Sequence, residues 1–208
     1  MTTSTWPKRV FDLAVSVPLL VASLPELGVT AAAVARRLGR PVLFRQRRPG
    51  RSGRPFELLK FRSMTPVDPA AGRTDDASRL TTFGRWLRAS SLDELPSLWN
   101  VVRGDMSLVG PRPLLMAYLP LYTPEQARRH EVRPGLTGLA QIAGRNAISW
   151  DQKLAFDVRY IDTRSMWLDM KILAATIRVV IGRRGVSADG HPTMTEFAGT
   201  DAPSGRVA

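Results

Sequence analysis

Two adjacent carboxylates and a set of cations are the residues of this chain whose types and spacing could do chemistry. The carboxylates are Asp93 and Glu94, which begin an apolar run with helical spacing. A carboxylate at a helix start lies beside unpaired backbone amides, so an arriving phosphoryl group would meet hydrogen-bond donors and a nucleophile together. Both acids could also bind Mg²⁺, which prefers oxygen ligands and bridges phosphates. Helix capping explains the same two residues without any catalysis.

The cations near this pair suit a phosphate, and each has a plain alternative. Arg112 lies between two prolines that fix φ on either side, so its guanidinium is held in place for bidentate contact with a phosphate. The alternative is a turn whose arginine is solvated. Lys60 and Arg62 occupy a predicted strand and could face solvent. The candidate ligands for the substrate phosphates and nucleotide are Lys60, Arg62, Arg88, Arg112, Arg145, Asn146 and Asp157.

Composition narrows the classes of function. The 208 residues suffice for one sizeable domain, and the net charge of +12 suggests an anionic partner such as nucleic acid, anionic lipid or a phosphorylated substrate. The absence of cysteine excludes disulfides and thiolate metal sites. No glycine-rich phosphate loop is present, which weakens ATP and NAD binding as explanations.

The N-terminal segment has the composition of a membrane element. Apolar stretches cover residues 10–24 and 27–35. Asp12 and the lack of a small-residue cleavage site argue against a signal peptide. A spanning helix needs about 20 uninterrupted apolar residues, and here Asp12, Pro25 and Glu26 interrupt it. A buried soluble helix stays possible, although residues 19–22 are apolar on every face.

The charges that flank this segment favour a helix that enters the bilayer, bends and returns. Lys8 and Arg9 precede it, and eight arginines follow between residues 36 and 54. Positive charge prefers the cytoplasmic side, so both ends are expected there. Pro25 is the predicted cause of the bend, and Asp12 is expected at headgroup depth because it would be costly at mid-bilayer.

The remaining elements are short. A strand, a turn and a strand are predicted over residues 41–64, an exposed loop over 65–79, and a helix from about residue 80. Short strands are expected at 106–109 and 139–142. Caps at Thr123 and Ser149 predict two helix starts. A further helix over 166–181 has basic edges and fits a lipid surface or a core-facing position equally.

These elements predict an α+β fold. We expect an N-terminal re-entrant membrane helix with its basic flank over residues 1–40. A small mixed α/β catalytic domain with short strands and interfacial amphipathic helices follows over 41–186, and a polar, poorly ordered tail over 187–208.

Five motifs occur in an order that resembles a known family. They are FRQ at 44–46 with RPG at 48–50, KFRSM at 60–64, SLDELP at 91–96, NVVRGDMSLVGPRP at 100–113 and RPGLTG at 133–138. Together they are similar to the bacterial sugar transferase family, the monotopic phosphoglycosyl transferases, over about residues 8–197. The chain resembles the small members, with no additional spanning helices before the catalytic domain.

The resemblance implies a reaction and a location. Such enzymes move a sugar 1-phosphate from a UDP-sugar to undecaprenyl phosphate and release UMP, the first membrane step of glycan assembly. It makes Asp93 the nucleophile, which forms a covalent phosphosugar intermediate, and places Glu94 with Mg²⁺. It implies a monotopic protein of the bacterial inner membrane, with its active site on the cytoplasmic face, in contact with lipid and able to form oligomers. The family bend is a Ser-Pro pair; here Leu24 precedes Pro25, and Ser23 stands one position early.

The C-terminal third carries a finer resemblance. Residues 145–150 and 187–191 are similar to the subgroup that handles N,N′-diacetylbacillosamine or related acetamido sugars. Two other classes compete with the enzyme. A basic nucleic-acid-binding module would explain the charge but not the apolar N-terminus, and the chain shows no nucleic-acid motif, so no nucleic-acid partner is expected. An inert membrane scaffold would not need the acid pair.

Overall fold

In a computed structural model of the chain, which describes residues 5–144, 147–181 and 196–199, two helices form the N-terminal part. The helices α1 (Thr5–Ala22) and α2 (Leu24–Leu38) follow each other with a bend of 58° between them. Within the described residues no single helix is long and apolar enough to cross a membrane, but this bent pair together has the required length and composition. The bend expected at Pro25 falls at Ser23, and Pro25 lies in the first turn of α2, where proline is tolerated.

The serine that stands one position early still contacts the helix break. The Ser23 hydroxyl donates a hydrogen bond to the carbonyl oxygen of Leu20 over 3.0 Å. Although the serine does not directly precede the proline here, its hydroxyl still satisfies a backbone carbonyl beside the bend.

Helix α1 buries polar side chains as well as apolar ones against the protein and exposes apolar side chains on its other face. Asp12 is buried and its carboxylate accepts hydrogen bonds from Lys8 (2.7 Å), the Ser107 hydroxyl (2.8 Å) and the backbone amide of Leu108 (3.3 Å). Lys8 also pairs with the buried Asp169, over 2.9 Å. The protein itself therefore satisfies this carboxylate, and the depth of Asp12 in a membrane stays a prediction.

An antiparallel hairpin follows, as predicted. Strands β1 (Leu43–Pro49) and β2 (Pro55–Phe61) pair with Phe44 opposite Lys60. The predicted exposed loop at 65–79 contains two short helical turns, Pro69–Ala71 and α3 (Asp76–Arg79). The expected helix with Arg85 and Arg88 is α4 (Thr82–Ala89).

Behind β2 lies α5 (Ser97–Arg103), and a second small sheet follows it. Strand β3 (Ser107–Val109) pairs in parallel with β4 (Gly135–Thr137). The strand predicted at 139–142 is wrong, since these residues form α7 (Leu139–Ala143). The predicted caps at Thr123 and Ser149 are confirmed as capping boxes of α6 (Pro124–Ala127) and α8 (Trp150–Thr163), and α9 (Met166–Ile181) is the expected last helix.

The core joins these elements around the second sheet. The main cluster of buried side chains comes from β2, α5, β3 and the residue before it, α8 and α9, with α1 packed against it: Leu58, Leu98, Val101, Met106, Leu108, Val109, Tyr160, Ile161 and Ile172. In the tail, for which the sequence predicts poor order, Phe197 is buried against Tyr118 and Trp150. This part of the tail therefore belongs to the packed domain.

Candidate active site

The acid pair lies in a single tight turn immediately before α5. Ser91 has a φ of 58°, a left-handed conformation that few residues other than glycine adopt. A 3₁₀ turn, Leu92–Glu94, follows it, and α5 begins only at Ser97. The acids therefore precede the helix rather than begin it. Neither carboxylate caps it, so the capping explanation is wrong for these residues.

Glu94 is held by two cations from different parts of the chain. Lys60 Nζ and an Arg112 guanidinium nitrogen each donate to Glu94 Oε1 over 2.6 Å. Burial would raise the pKa of Glu94, but the charges of Arg112 and Lys60 outweigh it and hold that pKa well below its usual range. In return, Glu94 raises the pKa of Arg112. Glu94 is therefore a fixed anion at neutral pH.

Asp93 differs from its neighbour in its contacts and in the direction of its pKa shift. Asp93 is only 7% exposed. Among the described residues, its carboxylate accepts no hydrogen bond and forms no ion pair. Burial, reinforced by the negative charge of Glu94, raises the pKa of Asp93 to about 6, although Lys60, Arg112 and Arg88 oppose the rise. The result is a carboxylate that is ionised at neutral pH, unusually basic and not engaged by the described residues, which are the properties of a nucleophile.

The loop that carries Arg112 is supported from behind by a buried ion pair. The guanidinium of Arg129 donates to Asp157 Oδ2 (2.7 and 3.0 Å), to the Tyr122 hydroxyl (3.0 Å) and to the carbonyl oxygen of Arg112 (2.7 Å). Burial raises the pKa of Asp157, and the charge of Arg129 limits the rise. The sequence predicts that Asp157 binds substrate; its carboxylate is occupied by Arg129, and direct contact with substrate stays a prediction.

A close glycine contact fixes the same loop at its base. A side chain at Gly135 would place its Cβ only 2.1 Å from the backbone nitrogen of Gly110. The backbone of β4 therefore reaches the start of the Arg112 loop, and the Gly135 amide donates to the carbonyl oxygen of Pro111 over 2.9 Å. Only glycine permits this approach.

The other predicted cations divide between the site and the scaffold. Arg88 donates to the Ser63 hydroxyl over 2.9 Å, and its charge acts on the Asp93 carboxyl. Arg62 donates to the carbonyl oxygens of Leu38 and Gly39 at the end of α2, so the structure places it with that helix end rather than with the acid pair. Arg145 and Asn146 lie outside the described residues.

Three polar residues to which the sequence assigns no role in the site hold α5, the helix that follows the acid pair. The Ser97 hydroxyl donates to the carbonyl oxygen of Leu59 over 2.6 Å, and Asn100 bonds the backbone of the same strand through both ends of its amide. These bonds fix α5 to β2 and so hold Lys60 opposite Glu94. Arg9 of α1 donates to the carbonyl oxygens of Val101 (2.6 Å) and Val102 (2.7 Å) at the other end of α5. In the sequence, a polar residue within an apolar helix is the signal that indicates such a structural contact.

Glu94, but not Asp93 itself, lines a cleft of about 400 Å³, a volume that includes the open mouth of the cleft. Its polar wall holds Glu94 with three cations, and its apolar wall comes from both small sheets and the Arg112 loop. The residues that line the cleft include Arg48, Lys60, Glu94, Arg112, Met106 and Leu136. The excess of positive charge suits a phosphorylated ligand.

The acid pair has the donor atoms that a hard cation requires. Glu94 Oε2 and both carboxylate oxygens of Asp93 accept no hydrogen bond within the described part of the chain. No group of three His, Cys, Asp or Glu side chains converges among those residues either. Mg²⁺ commonly takes one or two protein carboxylates and completes its shell with phosphate oxygens and water, so the residues present fit this ion with substrate as the remaining ligand.

Comparison with known proteins identifies the relatives of this chain. The family model described as bacterial sugar transferase matches residues 3–183. The chain is 52% identical over 194 residues to an uncharacterised sugar transferase, EpsL, of Bacillus subtilis, covering 93% of this chain and 96% of the relative.

Two further relatives carry the name of a reaction. A UDP-glucose:undecaprenyl-phosphate glucose-1-phosphate transferase of Caulobacter vibrioides is 45% identical over 183 residues, covering 82% of this chain and 68% of that protein. An undecaprenyl-phosphate galactose phosphotransferase of Salmonella typhimurium is 36% identical over 200 residues, covering 88% and 42% respectively. The chain thus spans less than half the length of the Salmonella protein.

Proposed function

The chain belongs to the bacterial sugar transferase family of enzymes, and we propose that it transfers a sugar 1-phosphate from a UDP-sugar to undecaprenyl phosphate with release of UMP. The names of the Caulobacter and Salmonella relatives support this class of substrates. The observation that carries the proposal is the division between the two acids. Glu94 is bound by two cations, whereas Asp93 is buried, basic and unengaged by the described residues.

In the first half of the reaction, Asp93 acts as the nucleophile. A carboxylate oxygen attacks the phosphorus that carries the sugar, and the bond from that phosphorus to the bridging oxygen breaks. UMP leaves with the electron pair, and a phosphosugar remains covalently attached to Asp93. The raised pKa of Asp93 makes its oxygen a better nucleophile than an ordinary carboxylate, while the lowered pKa of Glu94 makes that acid a poor one.

In the second half, undecaprenyl phosphate accepts the group. An oxygen of its phosphate attacks the same phosphorus, the bond to Asp93 breaks and the carboxylate is regenerated. The product is an undecaprenyl diphosphate sugar. Lys60 and Arg112 lie beside the acid pair, where they can neutralise phosphate charge without any proton transfer.

Mg²⁺ is proposed as the cofactor, held by Glu94 and Asp93. When bound, it would neutralise charge on the diphosphate and orient it toward the nucleophile. The oxygen atoms of the pair that no described residue engages support this assignment.

A membrane position is proposed for the bent helix pair. Its outward face exposes large apolar side chains that water would not favour, with Trp6 exposed by 76% and Val29 by 72%. On α9, Trp167 and Ile177 are exposed as well, while Ile172 is buried, as expected of a helix at a lipid surface. We propose a re-entrant, monotopic insertion into the bacterial inner membrane, with the site on the cytoplasmic face beside the basic flank.

Turnover tests the proposed reaction. Purified protein in detergent, given undecaprenyl phosphate and each of a panel of UDP-sugars, should release UMP with at least one donor. The panel should contain UDP-glucose, UDP-galactose and UDP-N,N′-diacetylbacillosamine, because the sugar predicted from sequence differs from those in the relatives' names. Asp93→Asn is the control and should release none. Release of UDP instead of UMP would contradict the proposal.

A further inference from the structure

Arg48 is a cation of the cleft to which the proposed reaction gives no role. It lies near the end of β1, inside the FRQ and RPG motif region, and lines the cleft together with Lys60 and Arg112. One of its terminal nitrogens donates to the carbonyl oxygen of Pro113 (3.4 Å) and the other to the side-chain oxygen of Gln46 (2.5 Å). Its Nε has no acceptor among the described residues. Three of the five N–H donors of this guanidinium therefore form no hydrogen bond with the described residues.

The charge of Arg48 is also unmatched. Among the described residues it forms no ion pair, and the cleft offers it no free acid, since Glu94 is the sole acid of the lining and is bound by Lys60 and Arg112. Burial and the nearby charge of Arg112 lower the pKa of Arg48 to about 10. A partly buried cation without a carboxylate partner is unfavourable unless an anion arrives to meet it.

The position of Arg48 indicates which part of a ligand it would meet. Lys60 and Arg112 both donate to Glu94, the neighbour of Asp93, whereas Arg48 bonds neither acid. Arg48 is also bonded to the loop residue that follows Arg112. Arg48 therefore shares the cleft with Lys60 and Arg112 but contacts neither acid, and the apolar side chain of Leu58 lines the same cleft.

We propose that Arg48 binds the phosphate that departs with the nucleotide, one phosphate removed from the phosphorus that Asp93 attacks. This inference rests on the proposed function. When the bond to the bridging oxygen breaks, the electron pair passes to the phosphate of UMP, where negative charge grows. A guanidinium with unspent donors stabilises that charge and needs no proton transfer.

Nucleotide affinity tests this role without turnover. The full chain in detergent is titrated with UMP and, separately, with uridine, for the unmodified protein, Arg48→Gln and the control Arg47→Gln. Arg47 is a neighbour on the same strand that does not line the cleft. Loss of one charge-assisted contact should weaken UMP binding about tenfold or more in Arg48→Gln. Uridine binding should stay within about twofold, and the control should retain the full preference for UMP over uridine.

A structural role for Arg48 would give different results. If Arg48 served only to hold the loop through Pro113, Arg48→Gln would weaken UMP and uridine equally or neither, and the inference would be overturned. A raised KM for undecaprenyl phosphate with unchanged UMP affinity would assign Arg48 to the acceptor and overturn it as well. Should Arg48→Gln not fold, Arg48→Met removes the same charge and keeps much of the apolar stem, and an unreduced preference for UMP over uridine in that variant would overturn the inference.

The experiments distinguish a failure of the proposed function from a failure of the inference about Arg48. If the unmodified protein releases no UMP from any UDP-sugar, the proposed reaction is wrong, and the inference falls with it. If it releases UMP while Arg48→Gln retains the preference for UMP, the inference alone is wrong.

Discussion

Replacing Asp93, the proposed nucleophile, should make this protein more stable. Folding raises the pKa of the Asp93 carboxyl from 3.8 to about 6, and each tenfold change in proton affinity corresponds to about 1.36 kcal/mol. The ionised side chain therefore destabilises the fold by about 3 kcal/mol at pH 7.5. Asp93→Asn keeps the shape of the side chain and removes the charge, so it should recover most of that free energy. For a chain of this size the gain corresponds to a melting temperature higher by about 5–10 °C.

The gain should depend on pH in a defined direction. Between pH 3.8 and 6 the folded protein binds a proton at Asp93 more tightly than the unfolded chain does, so stability is lost as the pH rises through this window. At pH 4 the folded carboxyl is already protonated, and the advantage of Asp93→Asn should shrink below about 1 kcal/mol.

Thermal unfolding in detergent at pH 7.5 and pH 4 provides the assay. Glu94→Gln is the matched control and should lower the melting temperature at pH 7.5, because it removes the anion that holds Lys60 and Arg112. The reasoning would be refuted if Asp93→Asn were no more stable than the unmodified protein at pH 7.5. An equal gain at both pH values would refute it as well.

Three further results are expected. The rate of UMP release should fall as the pH drops through about 6, because protonation removes the nucleophilic form of Asp93; a rate that stays constant from pH 7.5 to 5 would contradict this. Asp157→Asn breaks the buried pair with Arg129 and should destabilise the fold by about 3–5 kcal/mol. The rate of UMP release should fall as well, because Arg112 is displaced. A variant with unchanged melting temperature and unchanged rate would show that the pair does not support the Arg112 loop. EDTA should stop the reaction and Mg²⁺ should restore it; activity that is indifferent to chelation would remove the metal from the mechanism.

Local signals in the sequence predict most of the elements. Thr123 and Ser149 each carry a hydroxyl that caps the following turn, and each is followed by a glutamine three residues later, so both helix starts are readable from four residues. The turn residues at 49–53 likewise predict the hairpin. The strand predicted over 139–142 is wrong because a short apolar run fits a strand and a buried helix alike.

Contacts between distant parts of the chain could not be predicted in this way. The pairs of Asp12 with Ser107 and of Arg129 with Asp157 join residues that are 95 and 28 positions apart, and no periodicity encodes them. The acid pair is recognisable because its two members are adjacent. Its division into a bound Glu94 and an unengaged Asp93 is not, since it depends on how β2 and the Arg112 loop converge on one side of the turn.

The covalent intermediate on Asp93 is the central claim, and intact-protein mass spectrometry tests it most directly. Protein incubated with Mg²⁺ and a UDP-sugar that supports turnover, but without undecaprenyl phosphate, should gain the mass of one sugar phosphate. Peptide mapping should place that mass on Asp93, and later addition of the acceptor should remove it. An unmodified mass under conditions that sustain catalysis would mean that the phosphosugar passes from donor to lipid in one direct step.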